Sequence, residues 1–109
     1  MTRILVQRRA LRDLAEARTY YRKEAPHIVS DFALAVDVEL CHLQRNLSTG
    51  SPRYGQQIGF AGLCNWTVKR FPYVIFYIQQ TDCVVVIRVL HQAADIPAHL
   101  SHSPTRQLL

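Results

Sequence analysis

Between Val29 and Leu47 the chain returns an apolar residue every three or four positions: Val29, Phe32, Ala33, Val36, Leu40, Leu43 and Leu47. That spacing predicts an amphipathic helix. Leu34, Val38 and Cys41 widen the stripe, which predicts burial on more than one side of it. "NLSTGSP" (46–52) then supplies a stop. Upstream, Leu11, Leu14, Ala15 and Tyr21 lie close to helical spacing among charged residues, and Pro26 disfavours helix at Ala25, so a first helix ends near Glu24. Two helices with so short a link form an antiparallel hairpin. Before them, Ile4-Leu5-Val6 reads as a strand.

After "RYGQQIGFAG", taken as a loop, the period drops to two. Across Leu63–Arg70, Trp66 and Val68 alternate with Asn65, Thr67 and Lys69. Phe71-Pro72-Tyr73 makes a turn, and Val74–Ile78 and Val84–Leu90 are near-continuous apolar strands joined by "QQTD". Three strands in succession with short links form a meander. The predicted fold is α+β, in the order β-α-α-β-β-β: a twisted antiparallel sheet with the N-terminal helical hairpin on one face. It fills a single domain over residues 1–100. The end of the chain, "PAHLSHSPTRQLL", loses periodicity and is expected to fray, with 101–109 as a tail.

Composition narrows the function classes. A chain of 109 residues with 49% hydrophobic content supports one core. No apolar run is long enough to span a bilayer, and "MTRILVQRRA" lacks the apolar stretch of a signal peptide, so no membrane role and a cytoplasmic location are expected. Cys41, Cys64 and Cys83 form no CxxC pair, and His27, His42, His99 and His102 show no ligand spacing with further donors. No metal and no cofactor are expected.

The net charge is +5, carried by eleven arginines and two lysines against eight acids. Residues 1–25 balance at +4, residues 26–52 at −2, and the remainder at +3. Arginine's planar fork suits carboxylates and phosphates, so an anionic partner is expected at surface supplied by the two ends of the sequence.

The apolar hairpin over 70–95 keeps Arg70, Arg88 and His91 near its ends. Four stretches stand in a distinctive order: "RALRDLAEARTYYRKEAP", "SPRYG", "VKRFPYVIFY" and "VIRVLHQAADIPAHL". Together they resemble the ParE branch of the RelE/ParE toxins of bacterial type II toxin–antitoxin systems, over roughly Arg3 to Leu100. The resemblance implies a toxin that inhibits DNA gyrase by direct binding, without enzymatic activity. It also implies a ParD-like antitoxin, whose flexible and often acidic C-terminal segment wraps the toxin and through which alone operator DNA is reached. One position departs from the family. Its last motif usually reads His-x-x-Arg-Asp, whereas His91-Gln92-Ala93-Ala94-Asp95 has an alanine that cannot form a bidentate ion pair.

Candidate target-binding residues are Arg53, Arg70, Arg88, His91 and Asp95. Candidate antitoxin-binding residues are Arg12, Arg18, Tyr20, Tyr21 and Arg22, on a first helix with basic residues along it. Tyr20 and Tyr21 are consecutive, so one is expected in the core and one exposed. Each candidate has a structural alternative. Arg88 can instead pair with Asp82, Asp95 or an acid on the helices, His91 can be a hydrogen-bonded strand-end residue, and Asp95 can cap the turn before Pro97. The sister RelE branch cleaves messenger RNA on the ribosome, which needs a base, a cation and an acid on one face. Arg88 and His91 are three positions apart and point to opposite faces of a regular strand unless a bulge intervenes. That leaves the nuclease set incomplete.

Overall fold

A computed structural model describes residues 2–46 and 50–101. In chain order the elements are β1 (Arg3–Val6), α1 (Arg8–Glu24), a single 3-10 turn at Pro26–Ile28, α2 (Val29–Arg45), α3 (Arg53–Ile58), β2 (Leu63–Thr67), β3 (Tyr73–Gln79), β4 (Cys83–His91) and α4 (Ile96–Ser101). Both long helices end where sequence chemistry predicts. Pro26 opens the 3-10 turn that separates them, and Arg22 and Lys23 sit in the last turn of α1, where cations complement the helix dipole. Leu47 of the apolar repeat and residues 102–109 lie outside the described residues.

The four strands form one sheet in the order β1-β4-β3-β2. β2, β3 and β4 are the expected antiparallel meander, with Leu63 opposite Ile78 and Tyr73 opposite His91. The sheet is mixed rather than wholly antiparallel, because β1 runs parallel to β4, with Ile4 beside Val84 and Val6 beside Val86. A strand separated in sequence from its sheet neighbour by three α-helices and two strands carries no mark of its direction in its own side-chain alternation.

Side chains on the two faces of the sheet build two apolar clusters. On the first, Ala10, Leu14, Ala17 and Tyr21 of α1 and Phe32, Val36 and Leu43 of α2 meet Tyr73, Ile75, Tyr77, Val84, Val86 and Val89. On the second, Phe60, Leu63, Val74, Phe76, Ile87 and Leu90 meet Ile96 and Leu100 of α4, with Tyr54 and Ile58 of α3 packed against them. Coverage of both faces is why β3 and β4 read as continuous apolar runs instead of alternating ones.

Two sequence expectations are corrected here. "RYGQQIGFAG" is not simply a loop: its first residues form α3, which is too short for a hydrophobic period to show. Gly59 closes α3 in the left-handed conformation (φ 72°), and Gly55 has no room for a side chain, since a Cβ there would lie 2.6 Å from the Leu63 carbonyl oxygen. Nor does the described part of the expected tail fray. Ile96–Ser101 is helical, and Leu100 is fully buried.

The packing of α4 makes Leu100→Ala a core truncation, expected to cost about 2–4 kcal/mol in denaturant titration; substitution in a fraying tail would stay within about 0.5 kcal/mol. Burial also pushes the phenols of Tyr21, Tyr73 and Tyr77 up, with nearby tyrosines adding to the shift at Tyr21 and Tyr73, and Cys64 at Tyr77. The folded state therefore holds these protons more tightly than the unfolded chain, whose phenols ionise near about pH 10. Their contribution is present below that pH and is lost as the pH rises through the folded values. Equilibrium unfolding followed against pH should show stability insensitive to these phenols below about pH 9 and falling above about pH 10.

Candidate functional site

β1 ends opposite Val86, and beyond it the edge of β4 is taken over by a side chain. Asp13, on the sheet-facing side of α1, accepts the Val89 backbone N–H through Oδ2 at 3.0 Å. The same carboxylate takes a two-point contact from Arg88, with Nε to Oδ2 at 2.7 Å and Nη2 to Oδ1 at 2.9 Å. Arg88 Nη1 reaches the His99 carbonyl of α4 at 3.4 Å. Both side chains are buried, so α1, β4 and α4 meet on one desolvated ion pair whose hydrogen bonds offset much of its desolvation. Arg88, expected to contact a target, is instead committed to an acid on the first helix.

The pairing of β4 with β3 is irregular just before Arg88. Phe76 pairs with Arg88 but Tyr77 pairs with Val86, so Ile87 is an extra residue and β4 bulges there. Apolar contacts follow the shift: Val86 and Val89 join the helical cluster, Ile87 and Leu90 the opposite one. From Arg88 to His91 the pairing with β3 is regular, so the bulge lies outside that interval, yet both residues border a cleft of about 400 Å³ that Asp13, Glu16, Tyr20, Tyr73 and His99 also line. His91 is exposed and packs edge-on to Tyr73 at 5.3 Å, and its Nδ1 accepts the Ala93 N–H at 2.9 Å. A neutral ring accepting at Nδ1 carries its proton on Nε2. The cleft thus holds two histidines, two tyrosines and two carboxylates, but its arginine is already neutralised.

Arg70 lies elsewhere, in the β2–β3 turn, whose surroundings include Glu39, Trp66, Lys69, Pro72 and Gln92. It is exposed and has φ 71°, the left-handed region that disfavours side chains other than glycine. The turn is held from both ends. Val68 N–H donates to Tyr73 O at 2.8 Å, and the buried Glu39 of α2 accepts the Trp66 indole N–H at 2.8 Å and the Lys69 backbone N–H at 3.3 Å. Glu39, missed in the sequence because an acid in an apolar stripe reads as an interruption, fixes the loop that presents Arg70. Gln92 N–H donates to Pro72 O, which sets this turn beside the end of β4.

The remaining candidates scatter. Arg53 is exposed at the start of α3. Asp95 caps α4, accepting the Ala98 N–H at 3.4 Å, and Ala94 sits in the preceding turn, donating to His91 O. On α1, Tyr21 is buried among Phe32, Phe71 and Tyr73, which removes it from the antitoxin-binding set, while Tyr20 is 57% exposed. Arg8, Arg12, Arg22 and Lys23 are exposed and Arg18 half-buried on the outward side of the helix. Among the described residues the only ion pairs are Asp13–Arg88 and the exposed Arg3–Asp82, so none of these α1 cations is neutralised.

Residues 4–96 match the family model of the ParE toxin of the type II toxin-antitoxin system, parDE. The chain belongs to the ParE toxin family. Its fold is also that of a solved structure described as the chromosomal ParDE TA system from P. aeruginosa, with a TM-score of 0.71 at 17% identity, covering 84% of this chain and 96% of that one. A search of curated proteins returns no match. This ParE family member is therefore the toxin of a toxin–antitoxin pair, and no helix among its described residues is long and apolar enough to cross a membrane.

Removing either partner of the buried pair strands the other. Asp13→Ala and Arg88→Ala should each cost about 3–5 kcal/mol, with strong coupling in a double-mutant cycle, whereas His91→Ala at its exposed position should cost no more than about 1 kcal/mol. Thermal or denaturant unfolding of the four variants checks this.

Proposed function

We propose that this toxin inhibits DNA gyrase by direct binding and is neutralised when an acidic segment of a ParD-like antitoxin lies along α1. The observation that carries the reading is the placement of positive charge. The cation next to His91 is consumed internally by Asp13, which leaves no guanidinium free in that cleft to meet the charge building on a phosphate during RNA cleavage. The unpaired cations are exposed instead. Arg12, Arg18 and Arg22, with Tyr20 at the border of the face, are suited to an acidic peptide. Arg70, His91 and Asp95, toward the β2–β3 turn and the end of β4, with Arg53 at α3, are the proposed target contacts.

Ribosome-dependent messenger RNA cleavage is the second reading, favoured by one observation: Arg88 and His91 border one cleft. It requires Arg88 to leave Asp13, at the energetic cost of an unpaired buried carboxylate.

Plasmid supercoiling by purified gyrase separates the two. Inhibition that added antitoxin reverses is expected; a folded toxin that leaves gyrase active but cuts transcripts in a translating extract would replace this proposal with the second reading. Arg70→Gly is the variant to compare, because glycine accepts φ 71° without strain and should hold or raise stability by up to about 1 kcal/mol while weakening inhibition. For the antitoxin surface, Arg12→Glu with Arg22→Glu should weaken binding of an acidic antitoxin peptide by about ten-fold or more in titration calorimetry, with a reduced salt dependence.

A further inference from the structure

The α2 sequence predicts burial on two sides, and the folded chain supplies only one. Phe32, Val36, Glu39 and Leu43 face the sheet and are buried. On the opposite side Leu34 is 64% exposed, Val38 is 55% exposed and Cys41 is exposed, in a row of one-turn steps that continues to Arg45. Two large aliphatic side chains on the row leave an apolar strip that none of the described residues covers.

The charges bordering the strip indicate what covers it. The exposed charges of α2 are Asp31 and Asp37 against Arg45, so this part of the surface does not suit the acidic segment assigned above to α1. Asp37 stands one turn before Cys41 and Arg45 one turn after it. If two copies of α2 lie antiparallel with a two-fold axis at Cys41, each Asp37 faces the second copy's Arg45, and the two Val38 side chains close on either side of the axis. A parallel arrangement sets like charges opposite each other. Antiparallel helices also align their dipoles favourably, and an isologous interface must be self-complementary in this way.

We propose that the outer face of α2 is a homodimer interface, in which two copies of the toxin pair antiparallel about Cys41, with Val38 beside the axis and reciprocal Asp37–Arg45 ion pairs. It leaves α1 and the β2–β3 turn available, so it does not depend on which target the toxin binds.

Sedimentation equilibrium of the purified full chain across a concentration series, under reducing conditions, is the test. A monomer–dimer equilibrium is expected. Val38→Glu, an exposed change that should leave the fold of the monomer intact by circular dichroism, is expected to abolish it. Asp37→Arg and Arg45→Asp should each weaken the dimer by about ten-fold, and the double exchange should restore it, because the reciprocal pairs re-form with reversed sign. Treatment with a diazene oxidant, which takes two electrons and two protons from a pair of thiols as their S–S bond forms, should give a covalent dimer that Cys41→Ser prevents. A chain that stays monomeric throughout the series overturns the proposal. So does a dimer indifferent to Val38→Glu and to the charge exchange, and so does a monomer whose antitoxin binding is lost in Val38→Glu, which would assign the strip to the antitoxin.

Discussion

The Asp13–Arg88 pair is the contact on which the arrangement of elements depends. A parallel strand four residues long cannot protect the whole of a nine-residue neighbour, and beyond Val86 the β4 edge would otherwise expose an unpaired backbone donor. A carboxylate from α1 fills that gap, and the arginine that neutralises it extends to a carbonyl of α4. Helices on opposite faces of the sheet are thereby connected at the sheet's edge. A buried pair of this kind contributes less net stability than its close contacts suggest, since desolvation offsets much of the attraction. Its effect is on specificity: any other placement of α1 against β4 leaves two buried charges apart.

The same pair directs the chemistry of the surface. A ParE family member with Arg88 free would present a cation beside His91 in an aromatic-walled cleft. With Arg88 engaged, the cleft offers histidines, tyrosines and carboxylates, and exposed positive charge lies outside it, on α1, in the β2–β3 turn and at Arg45 and Arg53. Binding surfaces, in which charge steers and orients a partner, fit this distribution better than a site that must stabilise a developing phosphate charge.

A second buried carboxylate does for the turn what Asp13 does for the edge. Glu39 joins α2 to the Trp66 indole and the Lys69 amide, so the backbone around Arg70 is fixed by the core and holds a left-handed residue that an unsupported turn would relax. An exposed arginine on a fixed backbone loses less freedom when it meets a partner than one on a loose loop.

The chain's own periodicities determined the helices and the meander. The three- and four-residue steps of α2, Pro26 after α1, and the continuous apolar runs at 74–78 and 84–90 each follow from local geometry and the removal of apolar surface from water. The ordered stretches of the family resemblance were equally legible, as was the conflict at Tyr20-Tyr21, where neighbouring residues cannot share one helix face. Four features were decided only by the tertiary structure. The parallel direction of β1 comes from the path of the chain through three α-helices and two strands. α3 and α4 exist because the second face of the sheet needed cover, with Ile96 and Leu100 too few to make a period of their own. The Ile87 bulge shifted the register of β4 just before Arg88, and a single inserted residue leaves no mark in the sequence. Arg88 itself admitted an acid on the helices or a partner's surface, and only the approach of α1 to the free edge of β4 selected Asp13.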